Sequence, residues 1–101
     1  MIDGAVFEFL KNLGLKYNAE KVILYGSRAR GDNHETSDYD VAFFGITNRN
    51  YQAEIWYACE WEAPTLKNID TLFDNRADEK ILNRIEKEGT VLYEREKSYK
   101  T

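Results

Sequence analysis

The 101-residue chain has few of the residues that build cross-links or metal–thiolate sites. It contains one cysteine, one histidine, one proline and one methionine. Cys59 alone cannot form an internal disulfide or a thiolate zinc site, so we expect a buried, unreactive thiol. No apolar run approaches the roughly 18 residues of a membrane-spanning helix, and the N-terminus lacks the basic-then-apolar order of a secretory signal. These absences predict a cytoplasmic protein without a membrane segment.

The charge balance argues against a protein that coats nucleic acid through its overall charge. The chain has 14 basic and 18 acidic residues and a formal net charge of −4, whereas such proteins usually present a basic face. Hydrophobic residues make up 43% of the chain, which is enough for one core, and the length is too short for two. We therefore expect one globular domain over residues 1–101, with its core at about 5–95, and no direct nucleic-acid binding.

Hydrophobic periodicity and turn residues predict alternating helices and strands. Helices are expected at 3–14, 48–63 and 78–89, the first of them ending at Gly14. Strands are expected at 21–25, 39–45 and 66–74, and "TVLYE" adds a possible edge strand. The order α-β-loop-β-α-β-α(-β) predicts an α/β (α+β) fold with a small mixed sheet of three to four strands packed with helices.

The helix predicted at 48–63 is rich in aromatic residues. Its buried stripe is expected to hold Tyr51, Ile55, Ala58 and Cys59. Trp56 is expected to complete the core, whereas Tyr57 lies on the opposite side, where aromatic residues are typical of interface hot spots. Trp61 fits either the core or that contact surface.

The loop "YGSRARGD" at 25–32 follows a predicted buried strand. Gly26 and Gly31 have the separation found in phosphate-binding P-loops, but Asp32 and Asn33 replace the lysine and the hydroxyl residue of that motif. A Gly-Ser turn at a strand end can still present backbone N–H groups and a hydroxyl to a phosphate. Gly26 would let the backbone approach closely, and Ser27 would donate to a phosphate oxygen or cap the turn.

Acidic residues dominate the next motif, "SDYDVAFF". Asp38 and Asp40 are two apart at the start of a strand, so both carboxylates are expected on one face. Their repulsion is costly without a cation, and oxygen ligands suit magnesium; the alternative is a pair of solvated acids on an exposed strand edge. Asp70 interrupts an apolar strand and would complete a three-carboxylate cluster for two divalent ions if that strand lies beside the second. Asp74 is the rival third acid, and Asp70 is preferred because it lies inside the strand.

The combined motifs resemble a known family. Gly26-Ser27, ten residues and then Asp38-Tyr39-Asp40 form the pattern G-S-x10-D-x-D, and "YGSRARGDNHETSDYDVAFF" is similar to the signature of minimal nucleotidyltransferases, relatives of the polymerase-beta superfamily. The resemblance covers roughly residues 5–95 and implies the polymerase-beta-like nucleotidyltransferase fold. The catalytic, magnesium-holding acids that it implies are Asp38, Asp40 and Asp70. The residues that it implies around the nucleotide triphosphate are Gly26, Ser27 and Arg28 or Arg30.

Members this small are similar to antitoxins paired with helical HEPN-domain ribonuclease toxins. The resemblance implies magnesium-dependent transfer of AMP from ATP to a tyrosine hydroxyl of such a toxin, with pyrophosphate leaving and two magnesium ions as cofactors. Two alternatives remain open: a non-catalytic antitoxin that neutralises its partner by binding, and an enzyme that modifies a small hydroxyl compound. Three acids favour the enzyme, because a pure binding protein has no evident need for them.

Overall fold

The computed structural model describes residues 2–34 and 37–96, and these fold into a four-stranded sheet with helices on both faces. The elements in chain order are α1 (Gly4–Lys16), β1 (Lys21–Tyr25), α2 (Ser27–Arg30), β2 (Tyr39–Phe44), α3 (Arg49–Trp61), β3 (Ile69–Phe73), a 3-10 turn (Asp74–Arg76), α4 (Glu79–Glu88) and β4 (Thr90–Glu94). The predicted α/β fold is confirmed, and the possible edge strand is present. Within the described residues, no helix has the length and apolar content needed to cross a membrane.

The sheet is mixed, with the strand order β3-β2-β1-β4. β1 pairs antiparallel with both β2 and β4, whereas β2 and β3 run parallel. The parallel pair follows from the connection, because parallel strands need a crossover and α3 supplies it. The two parallel strands therefore begin at the same end of the sheet.

One face of the sheet packs against α1 and α3 and holds most of the core. Val41 and Phe43 of β2 are completely buried there, and the ring of Phe43 lies 5.9 Å from that of Phe73, measured between centroids. Other fully buried side chains of this cluster are Val6, Leu10, Val22 and Ile55. We call this the α1–α3 face.

The opposite face packs against α4 and is covered in part. Its apolar cluster contains four buried residues, Ile23, Ala42, Phe44 and Ile85. At the rim, the Lys21 ammonium lies 3.1 Å from a Glu86 carboxylate oxygen and 5.1 Å from the centroid of the Phe44 ring. We call this the α4 face.

The first helix does not end at Gly14 as predicted. It continues to Lys16 with Gly14 buried inside it. A Cβ on Gly14 would lie 2.7 Å from Cδ2 of Tyr93 and 2.9 Å from Cγ2 of Val22. This glycine therefore lets α1 approach the sheet closely, and the chain reverses later, at Asn18, whose φ is 55°.

The stripe predicted for α3 is confirmed except at its start. Ile55, Ala58 and Cys59 are buried, but Tyr51 is 45% exposed and Gln52 is buried in its place. Gln52 fits there because its amide donates to the Ile46 carbonyl at 2.7 Å. Burial raises the pKa of the Cys59 thiol to about 12, which agrees with an unreactive thiol.

The aromatic residues on the outside of α3 are more exposed than expected. The assignment of Trp56 to the core is wrong, since this side chain is 52% exposed. Tyr57 is exposed as predicted, and Trp61, for which the sequence fits either core or surface, is 70% exposed. The reason is geometric: the inward side of α3 is already filled by Ile55, Ala58 and Cys59.

Candidate active site

Three strands carry polar side chains in one row on the α4 face. Asp40 of β2 is in register with Tyr25 of β1 and with Asp70 of β3. Because side chains alternate along a strand, all three share the face of Ala42, and Tyr25 packs against the apolar cluster of that face. β3 lies beside β2, as the prediction of neighbouring acids required.

The row concentrates negative charge. Asp40 is partly buried, and its pKa is raised above the usual carboxyl range by burial, then by the charges of Asp70 and Asp38, with Arg30 acting in the opposite sense. Burial, Asp40 and Asp70 likewise raise the pKa of the Tyr25 phenol. Burial is the largest cause of both shifts, and the negative charge of the neighbouring carboxylates adds to it.

Asp38 lies one residue before β2 and is exposed. Its Oδ1 accepts a hydrogen bond from the Asn68 backbone N–H at 3.3 Å, and the Tyr39 N–H donates to the Asn68 carbonyl at 2.9 Å. Among residues 2–34 and 37–96, no three His, Cys, Asp or Glu side chains are grouped so that they could hold a metal ion. The fold therefore sets Asp40 beside Asp70, while one oxygen of Asp38 is bonded to the loop before β3.

Asp74, the rival third acid, lies at the other end of the sheet. It opens the 3-10 turn after β3, and its Oδ1 accepts from the Gly45 N–H at 3.2 Å. Asp74 lies four positions after Asp70, or about 13 Å at the usual rise of a strand. Asp74 therefore stabilises a turn, and Asp70 is the acid that lies next to Asp40.

Gly26 forms the turn between β1 and α2. Its φ of 74° lies in the region that favours glycine, and a Cβ added to it would collide with Oδ2 of Asp40. Gly26, which has no side chain, occupies the N-cap position of α2, and Ser27 is the first residue of that helix. Ser27 is therefore not the N-cap of this turn, and the turn lies directly against the acidic row.

A cleft of about 360 Å³ opens between this turn and α4. Its lining residues are Tyr25, Gly26, Ser27, Arg30, Asp40, Ile81, Arg84, Ile85 and Glu88. A larger cavity of about 430 Å³ lies between α1 and α3 and is lined by none of the predicted site residues. The predicted phosphate-holding turn and one of the predicted acids thus meet in one cleft.

The two arginines of the loop have different surroundings. Arg28 is buried, its Nε donates to the Ser37 carbonyl at 3.0 Å, and its guanidinium lies 4.2 Å from the centroid of the Tyr39 ring. Arg30 is exposed and lines the cleft. Its guanidinium lies 3.2 Å from Asp32 and 3.6 Å from Glu88. Arg28 thus ties the loop to the start of β2, and Arg30 faces the cleft.

The α4 side of the cleft was not found from the sequence. Arg84 and Glu88 line it together with Ile81 and Ile85. The spacing i, i+3, i+4, i+7 places these four residues on one stripe of a helix, but the prediction of a helix at 78–89 rests on its apolar face, the acids of its first turn and Gly89, not on Arg84 or Glu88. The polar members of the stripe would have been the available signal.

The comparisons with known proteins define the class. Residues 8–98 match the family described as "Polymerase beta, Nucleotidyltransferase". The chain belongs to this family, and the prediction of a nucleotidyltransferase enzyme is confirmed. It is 30% identical over 97 residues to a Methanocaldococcus jannaschii protein that carries the name protein adenylyltransferase MJ0604, a match that covers 90% of this chain and 97% of that one.

Solved structures share the fold. A toxin-antitoxin complex with AMP-PNP matches with a TM-score of 0.68 at 17% identity, over 88% of this chain and 73% of that chain. A second toxin-antitoxin structure, MntA-HpeT with two aspartates two positions apart replaced by glutamate, matches with a TM-score of 0.67 at 15% identity and the same coverage. A Sulfolobus solfataricus nucleotidyltransferase matches with a TM-score of 0.53 at 26% identity, over 93% and 85% of the two chains. The polymerase-beta-like fold is therefore confirmed.

Proposed function

We propose that this protein is a magnesium-dependent nucleotidyltransferase that moves AMP from ATP to a hydroxyl group. The observation that carries the proposal is the contact between the Gly26 turn and Asp40, with Asp70 in register beside it. A phosphate-holding turn and a metal-holding acid are thereby next to each other, as phosphoryl-type transfer requires. The name of the M. jannaschii relative and the AMP-PNP in a structural neighbour favour AMP as the transferred group.

The acids fit magnesium by their chemistry. Asp38, Asp40 and Asp70 offer only oxygen ligands, which Mg²⁺ combines with water and substrate phosphates. The pKa of Asp40 is raised by burial and by the two other acids, so a divalent cation would relieve their repulsion. Asp40 and Asp70 would hold one or two ions, and Asp38 would join when its oxygen leaves the Asn68 N–H. Bound magnesium would neutralise charge that develops on the phosphate oxygens.

The nucleotide would lie in the cleft with its triphosphate on the Gly26–Ser27 turn. The first turn of a helix has N–H groups without carbonyl partners inside that helix, and the Ser27 hydroxyl adds a donor. Arg30 is the arginine that we assign to the triphosphate, because it lines the cleft. Arg28 would act indirectly, by holding the loop against Tyr39.

The acceptor would approach from the open side of β3. Asp70 is exposed on this edge strand, so its carboxylate can take the proton of the attacking hydroxyl. The hydroxyl oxygen bonds to the α-phosphorus, the bond to the β-phosphate oxygen breaks, and pyrophosphate leaves. The proton would end on Asp70 and pass to water.

We propose a tyrosine of a HEPN-type toxin as the acceptor. Tyr57, Trp61 and Leu66 expose large apolar side chains on α3 and on the loop that leads to β3. That loop is bonded to Asp38 through Asn68, so this surface continues to the acidic row. Exposed aromatic residues are typical of interface hot spots, and two structural neighbours come from toxin-antitoxin structures.

The test uses α-labelled ATP, magnesium and the helical protein encoded beside this gene, if there is one. Label should move to a tyrosine of that protein, and Asp40→Asn should reduce the rate about 10²- to 10³-fold, as expected for loss of an electrostatic stabiliser. Asp74→Asn is the matched control at the other end of the sheet and should keep the activity.

Two outcomes would redirect the proposal. If Asp40→Asn transfers label at the wild-type rate, the acidic row is not the catalytic site. If neither form transfers label but both neutralise the toxin at equal stoichiometry, the protein acts by binding, and substitutions at Trp61 and Leu66 should then abolish neutralisation.

A further inference from the structure

On the basis of the proposed function, we propose that Arg84 of α4 binds the β- or γ-phosphate of the nucleotide. Arg84 lies outside the G-S-x10-D-x-D pattern, about 45 residues after its last acid. It nevertheless lines the same 360 Å³ cleft as Gly26, Ser27 and Asp40. α4 would then form a second wall of the nucleotide site, opposite the turn.

The position of Arg84 is set by its neighbour. Ile85 is 1% exposed and belongs to the cluster under α4 with Ile23. Burial of Ile85 holds this turn of the helix against β1, the strand that leads into the Gly26 turn. The backbone of Arg84 is therefore held in place by the packing of Ile85, while the Arg84 side chain is exposed.

The charges in the cleft distinguish Arg84 from Arg30. Arg30 is already balanced by carboxylates of Asp32 and Glu88. Arg84 forms no ion pair or side-chain hydrogen bond with any other residue in the described part of the chain, although Glu88 is one helical turn away. A guanidinium offers five N–H donors and suits phosphate oxygens. Its unused donors at the rim of the cleft fit a polyphosphate tail.

The alternative is an ordinary solvated arginine, and a charge-matched control separates the two. Lys80 lies on the same helix four residues earlier, is exposed and does not line the cleft. Lys80→Gln and Arg84→Gln remove the same charge from α4. A general electrostatic effect would therefore weaken ATP binding in both variants. The loss of a direct contact would weaken it in Arg84→Gln alone.

The experiment measures binding of ATP and AMP with magnesium by calorimetry, together with the KM for ATP in the transfer assay. Arg84→Gln should weaken ATP binding and raise this KM roughly 10- to 100-fold, the range for a lost hydrogen bond to a charged group. AMP binding should change less than about twofold, because AMP lacks the β- and γ-phosphates. Arg84→Lys should restore part of the loss, and Lys80→Gln should resemble wild type.

Equal ATP affinities of Arg84→Gln and Lys80→Gln would overturn the assignment, and so would equal losses of ATP and AMP binding in Arg84→Gln. These results leave the proposed function intact as long as the wild-type protein transfers AMP. If wild type neither binds ATP nor transfers AMP, the proposed function fails, and the role of Arg84 fails with it.

Discussion

The two faces of the sheet differ in their cover and in their chemistry. The α1–α3 face packs against two thirteen-residue helices and contains most of the completely buried side chains. The α4 face packs against one ten-residue helix, of which only Ile85 is buried. Carboxylates are costly to bury, and Asp40 and Asp70 lie where the cover by α4 ends. In this small protein, the α1–α3 face contributes most of the buried core, and the α4 face contains the open cleft with the acidic residues.

The comparison also assigns two roles to α4. Ile85 closes the smaller apolar cluster, while Arg84 and Glu88 reach the cleft. A helix with a single buried residue has little packing energy to lose, so we expect it to open locally before α1 does. If stability and chemistry are divided between the faces in this way, substitutions on the two faces should have separable effects.

The largest effect on stability is expected from the core of the α1–α3 face. Phe43→Ala removes a fully buried ring that packs on Phe73 and should cost about 3–5 kcal/mol of unfolding free energy. Trp61→Ala, on the exposed side of α3, is the control and should change stability by less than about 0.5 kcal/mol. Urea denaturation measures both, and similar losses would mean that the outer aromatics belong to the folded core.

A smaller loss is expected at the turn beside the acids. Gly26→Ala places a side chain at φ 74° and against Asp40, which should cost about 1–3 kcal/mol and displace the carboxylate. Gly31→Ala has a similar φ of 84° but no atom within 4 Å of the added Cβ. Gly31→Ala therefore introduces the same kind of backbone strain as Gly26→Ala but no contact with a neighbouring side chain. Transfer activity should fall only in Gly26→Ala, and equal activity in both variants would contradict a tight Gly26–Asp40 contact.

Helix capping compares α4 directly with α1. Asp78 accepts from the Ile81 N–H at 2.9 Å, and Asp3 accepts from the Ala5 N–H at 2.8 Å. Replacing either by alanine should cost about 1 kcal/mol. Hydrogen exchange should accelerate throughout α4 in Asp78→Ala, but only near the first turn of α1 in Asp3→Ala. Equal responses would show that both helices are held equally firmly.

The smallest effect concerns pH. Burial and the neighbouring acids raise the pKa of Asp40, so the folded protein binds this proton more tightly than the unfolded chain. Stability should therefore fall as pH rises from the unfolded value, about 3.9, through the raised folded value. The effect should be modest because solvent screens a partly exposed carboxylate. Denaturation from pH 3 to 8 should show a shallower fall in stability for Asp40→Asn, and parallel profiles would contradict the raised pKa of Asp40.

Local patterns predicted the elements well because each depends on near neighbours in the chain. The apolar strands and the main helices lie close to where periodicity and turn residues predict them. The prediction that the first helix ends at Gly14 was wrong, because the role of this glycine depends on its contact with Tyr93, which is far away in the sequence. The assignment of Trp56 to the core was wrong, because the inward side of α3 is already filled by other side chains. Helical spacing alone does not reveal this.

The sequence by itself determined the order of helices and strands, the Gly-Ser turn and the pair of acids, because these follow from residue type and short-range spacing. Tertiary structure alone decided that β3 lies beside β2 with Asp70 in register with Asp40, that Arg28 is buried while Arg30 faces the cleft, and that Arg84 lines the same cleft. These facts depend on strand register and helix packing. Both arise from contacts between residues distant in the chain, so no local spacing encodes them.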